Sequence, residues 1–79
     1  MTMEKDKWID VAELVAELRK DPGMEHQCCR GSGMIRSTHW MRYDAEKDMI
    51  EDTMDWTEYE WYTEQEMLFY YRGWWRIEH

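Results

Sequence analysis

His26, Cys28 and Cys29 carry the most reactive side chains of this 79-residue chain, and their spacing limits what they can do. A structural zinc site takes about four nitrogen or sulfur ligands, with its cysteines spaced rather than adjacent. Here the cysteines are neighbours, so a metal would need His39 and His79 brought in by tertiary folding. Reduced thiols are the expected state, with a strained vicinal disulfide as the redox alternative. Cysteine phosphatase chemistry needs a cysteine and an arginine closing one phosphate loop, and Arg36 stands one place too far from Cys29. Gly31-Ser32-Gly33 could still cup an anion, though short Gly-Ser turns are common. No phosphate-binding loop, dinucleotide fingerprint or hydrolase elbow occurs.

Carboxylates are the other chemical resource. Ten of the eighteen acidic residues fall between Asp44 and Glu66 against one base, Lys47, so this stretch carries −9 of a net −8. The other 56 residues sum to +1. Pairs for acid–base work abound, yet so short a chain has little volume for a closed, pKa-shifting cleft. The expectation is that the chain is not an enzyme, with no catalytic, cofactor-binding or metal residues and no cofactor. Tyr59, Tyr62, Trp56 and Trp61 are interleaved with the acids. That mixture suits a surface that meets a basic partner, because charge steers encounter and rings supply contact energy. Its bland alternative is a solvated face that keeps a small protein in solution.

Aliphatic bulk is scarce, at three Leu, four Ile and two Val, but six Trp, five Tyr and eight Met can replace it. An aromatic, Met-lined core is expected in a single domain spanning 1–79. No apolar run reaches the ~18 residues of a membrane span, and the N-terminus lacks a signal pattern, so a cytoplasmic location is expected. Strong acidity argues against direct nucleic acid or anionic lipid partners.

The elements that must position these residues are partly readable. Asp10 is a candidate N-cap with Glu13 three residues on, and Val11, Leu14, Val15 and Leu18 share one face of a helix over about 10–20. Asp21-Pro22-Gly23 stops it, and residues 22–33 read as a connection. Met34 to Tyr43 reads as a strand. Asp44-Ala45-Glu46-Lys47-Asp48 is then a hairpin loop returning through 49–54, with a second helix from Asp44 as the rival reading. Trp56 to Tyr62 alternates as a third short strand. Thr63-Glu64-Gln65-Glu66 matches a capping box opening a helix over about 64–72. Its rival is a hairpin turning at Arg72-Gly73. The fold class expected is α+β: an N-terminal helix on a short antiparallel sheet of two to three strands, with a short C-terminal helix or hairpin.

Together these features point to a non-catalytic protein–protein binding module. Asp48, Glu51, Asp52, Asp55, Glu58 and Glu60 are its expected electrostatic contacts, with Trp56, Tyr59 and Trp61 as anchors. The expected partner is a basic, nucleic-acid-binding protein whose groove spaced carboxylates would occupy by mimicking a phosphate backbone. In size, acidity and lack of catalytic motifs the chain is similar to small antagonists that phages and mobile elements deploy, such as anti-CRISPR and anti-restriction proteins. The likeness is one of composition, and it carries over no functional residues. The alternative is a structural subunit or homodimer that uses an aromatic surface around Met67, Tyr71 and Trp74.

Overall fold

The computed structural model describes residues 7–32 and 34–78. Eight elements follow one another: β1 (Ile9–Asp10), α1 (Val11–Lys20), β2 (His26–Ser32), β3 (Ile35–Asp44), β4 (Met49–Thr53), β5 (Glu60–Tyr62), α2 (Glu64–Tyr70) and β6 (Trp74–Glu78). The six strands form one antiparallel sheet in the order β1-β6-β2-β3-β4-β5. The class is α+β, as expected, but the sheet has twice the strands anticipated.

Local chemistry explains the helices. Asp10 accepts from the Glu13 N–H at 2.9 Å, and Arg19 and Lys20 complement the C-terminal end of α1. Both halves of the capping box at Thr63 and Glu66 are formed, which starts α2 where the sequence indicates. The helix reading of the C-terminal region therefore holds through Tyr70, and Trp74–Glu78 becomes a strand beside β2 instead of a hairpin arm. The reading of 44–54 as a hairpin also holds, with Asp44 Oδ1 accepting from the Glu46 and Lys47 N–H groups to shape the turn.

Both helices pack on one face of the sheet. Leu14, Val15 and Leu18 of α1 and Met67 of α2 meet Cys28, Met41, Tyr43, Ile50, Trp75 and Ile77 from the strands. The core is thus aliphatic for the most part, with Trp75, Tyr43, Met41 and Met67 filling between. This corrects the expected aromatic interior: only Trp75 of the six tryptophans is fully buried. The others lie on or around the opposite face of the sheet, which no helix among the described residues covers. Among the described residues no helix is long and apolar enough to cross a membrane.

Residues 26–32, read as a connection, are a central strand. Gly31 and Ser32 belong to that strand, while Gly33 of the expected flexible turn, His79 and residues 1–6 lie outside the described residues. The expected third strand, 56–62, shrinks to Glu60–Tyr62, and residues 54–59 form a loop.

Candidate functional site

The 54–59 loop takes its shape from two short polar side chains. Thr53 Oγ1 accepts from the backbone N–H groups of Asp55 at 3.4 Å and Trp56 at 2.8 Å. Asp55 Oδ1 accepts in turn from those of Thr57 at 3.0 Å and Glu58 at 3.2 Å. These side-chain-capped turns satisfy the backbone where the sheet ladder stops. They also hold Trp56 at φ 59, a left-handed conformation that costs a bulky L-residue about 1–3 kcal/mol. Part of that cost is offset by stacking, since the Trp56 and Trp40 ring centroids lie 4.1 Å apart.

The outcome is a rigid, exposed tip. Met54, Trp56 and Tyr59 are exposed large hydrophobics beside the exposed carboxylates of Asp55, Glu58 and Glu60. Asp55, Glu58 and Glu60 border a groove of about 190 Å³ with Asp52, Thr53, Met54 and Tyr71. The backbone N–H of Thr57 leads several hydrogen bonds that hold the Asp55 carboxyl below its ordinary 3.8, so its charge persists in mild acid.

The remaining residues expected at a partner surface each have a partner within the fold, although Asp48 stays exposed. Glu51 pairs with Arg42 across β3 and β4 at 3.1 Å. Asp48 lies 3.5 Å from Arg19 and accepts the Tyr43 hydroxyl at 2.7 Å. Trp61 is half-buried under Lys47, whose Nζ sits 3.9 Å from its ring centroid. Asp52 is 5 % exposed and lines the groove with its oxygens bonded to His39 and Tyr71. Only Asp55, Trp56, Glu58, Tyr59 and Glu60 of the expected set come together at the surface.

Asp52 anchors a buried polar chain instead. Its Oδ1 faces His39 Nδ1 at 3.0 Å, and its Oδ2 accepts the Tyr71 hydroxyl at 2.5 Å. On the other side of the ring, His39 Nε2 lies 2.9 Å from the Ser37 hydroxyl. Tyr62 lies 3.4 Å beyond Tyr71 and donates to Glu60 at the surface. Burial, followed by the Asp52 hydrogen bond, pushes the Tyr71 phenol well above its ordinary 10.0. The Ser–His–Asp order matches a hydrolase triad, but His39 is 4 % exposed and closed in by Tyr71 and Trp75. The hydrogen bonds from Ser37 through His39 and Asp52 to Tyr71 form a polar network that links β3, β4 and the end of α2.

No family model matches this sequence, and neither a curated protein nor a solved structure matches it.

Cys28 and Cys29 are free, and strand alternation sends them to opposite faces. Burial first, then Asp52, pushes the Cys28 thiol far above its ordinary 9.0, which makes it inert. Among the described residues no three His, Cys, Asp or Glu side chains gather around one point fit for a metal.

Sequence reasoning missed Thr53 and Met54. Thr53 looked like one more strand residue, although a threonine followed by Asp at 55 is the composition of a capped turn. Met54 had been assigned inside the returning strand.

Proposed function

We propose that the protein is a non-catalytic binding module that presents the 54–60 loop to a basic partner protein. The observation that carries this reading is the loop itself: three exposed hydrophobic side chains and three carboxylates without a cationic partner among the described residues, on a backbone hydrogen-bonded to its own side chains. Preorganisation of that kind lowers the ordering cost of association. Charge complementarity argues for a partner rich in Lys and Arg, and spaced carboxylates beside rings suit a groove that otherwise receives nucleic acid. An inhibitor of a nucleic-acid-handling protein, of the type phages and mobile elements deploy and acting in the cytoplasm, is the specific form proposed.

The test compares three baits at low salt: the wild-type chain, Glu58→Lys/Glu60→Lys, and Glu13→Lys/Glu25→Lys as a control of equal charge change. A partner should be retained by the wild type and the control, lost by the loop variant, and released by competing nucleic acid. Equal loss with the control would reduce the binding to nonspecific charge and sink the proposal.

A second reading has its own support. Phe69 and Tyr70 on α2 are exposed and touch edge-to-face, with centroids 5.0 Å apart. Such a pair suits a homodimer or an accessory contact. Of the patch expected around Met67, Tyr71 and Trp74, Met67 is fully buried and Tyr71 half-buried, while Trp74 is exposed on the other face of the sheet. Concentration-dependent mass that disappears in Phe69→Ser/Tyr70→Ser would favour it.

A further inference from the structure

The face of the sheet opposite the helices has a second concave site, centred on β6 and β2 rather than on the acidic loop that follows β4, and built from different chemistry. Because Ile9 turns into the core, its neighbour Trp8 falls on the open face, at the end where β1, β6 and β2 meet. The Trp8 indole closes down on Gly31. A Cβ at residue 31 would lie 2.8 Å from Trp8 Cη2 and 3.1 Å from Cζ3, so only glycine admits the ring at this depth. The Arg76 guanidinium sits 5.0 Å from the same ring and is neutralised by Glu78 at 2.9 Å.

Trp8, Gly31, Arg36 and Trp74 line a groove of about 540 Å³. Trp74 is 55 % exposed, because its neighbour Trp75 takes the core side. Arg36 is the cross-strand neighbour of Gly31, is exposed, and has no ion-pair partner among the described residues. Among the described residues the lining thus holds two indoles and one guanidinium without an ion-pair partner, and no carboxylate. In a chain of net charge −8, that local composition runs against the whole.

Each component restricts the ligand. Exposed indole faces favour a flat π system, which stacks without regard to its edge groups. A guanidinium fork favours a planar carboxylate or, better, a phosphate, and disfavours any cation. The volume falls within the roughly 300–1,000 Å³ of small-molecule sites. A polymer fits less well. The strands lie about 4.8 Å apart, so a chain of phosphates crossing β3 and β4 would come within a Debye length of Asp55, Glu58 and Glu60. With Arg76 already neutralised, Arg36 is the one unpaired guanidinium lining the groove among the described residues.

We propose that this groove binds a nucleoside monophosphate, with its base on Trp8 and Trp74 and its phosphate on Arg36. The site uses no residue of the acidic loop, so it stands or falls independently of the partner-binding reading. The test is titration of adenosine monophosphate into the full chain at low salt, followed by tryptophan fluorescence and calorimetry. Adenosine and inorganic phosphate serve as the two halves of the ligand. Adenosine monophosphate should quench the fluorescence and bind about tenfold tighter than either half. Arg36→Ala and Trp74→Ala, both at exposed positions, should each weaken it by about tenfold with an unchanged melting temperature. Repeated at about 0.15 M salt, where the screening length is about 8 Å, Glu58→Lys/Glu60→Lys should change the affinity far less than Arg36→Ala. Absence of saturable binding, equal affinity for adenosine, or insensitivity to both substitutions would overturn the proposal. Tighter binding of a single-stranded oligonucleotide than of the monophosphate would overturn it as well, by making the occupant a polymer.

Discussion

At the scale of single residues, Asp52 has the clearest consequences. Its two oxygens satisfy one imidazole and one phenol in the interior, so removing the carboxylate orphans two buried donors. Asp52→Ala should therefore cost on the order of 3 kcal/mol, lowering the melting temperature by well over 10 °C. Glu58→Ala, an exposed acid of the same segment, should fall within about 0.5 kcal/mol of wild type. Thermal melts of the two variants decide this directly, and equal effects would refute the buried assignment of Asp52. Tyr71 adds a pH dependence whose sign follows from its environment. Its folded-state pKa is raised above the ordinary 10.0, so the folded chain holds a proton that the unfolded chain gives up. Stability is fully present below that ordinary value and is lost as pH rises through and beyond it. Cys28, raised from 9.0, acts in the same direction one unit earlier. Denaturant midpoints should fall steadily above about pH 9, and Tyr71→Phe should flatten the part of that slope beyond pH 10. A Tyr71→Phe protein with the wild-type alkaline slope would exclude the phenol as its source.

At the scale of elements, the helices were readable because their signals are local, and three strands were not because theirs are not. Asp10 and Glu13, or Thr63 and Glu66, meet within one turn, so spacing alone identifies them. By contrast β2 reads His-Gln-Cys-Cys-Arg-Gly-Ser, with no alternation of apolar residues, and its core face is made by Cys28 and by Arg30. Arg30 becomes intelligible only in three dimensions. Its guanidinium lies over the Tyr71 and Trp75 rings and donates to the Arg72 carbonyl at 2.7 Å and the Tyr70 carbonyl at 3.5 Å. It thereby supplies, from a neighbouring strand, the positive charge that the last turn of α2 lacks. Nothing within 64–72 announces that partner. The acidic loop shows the same division. Its charges and rings were legible, but their sorting into exposed and committed sets depends on Arg42, Arg19 and His39, distant in sequence. Amide exchange tests the element directly. The Trp56 and Thr57 amides should be protected in wild type, and Thr53→Val, which removes an acceptor but little volume, should expose Trp56 by about tenfold or more.

At the scale of the whole molecule, the charges that look like one acidic block are distributed by the sheet into two kinds. Glu51, Asp48 and Glu64 sit against Arg42 and Arg19, where the cation spans elements and helps hold them in register. Glu58 and Glu60 have no cationic partner among the described residues and crowd beside Asp55 at one end. The first kind supports the fold, whereas the second works against it through repulsion that salt screens. Opposite responses to charge reversal follow. Glu51→Lys places a second cation against Arg42 on the neighbouring strand and should lower the melting temperature at every salt concentration. Glu58→Lys/Glu60→Lys relieves repulsion and should leave the melting temperature unchanged or raise it at low salt. That gain should vanish near 1 M salt, where the screening length shrinks to about 3 Å. If the double variant instead melts well below wild type at low salt, those carboxylates are part of the scaffold. A binding surface made of them would then have no stability cost to explain.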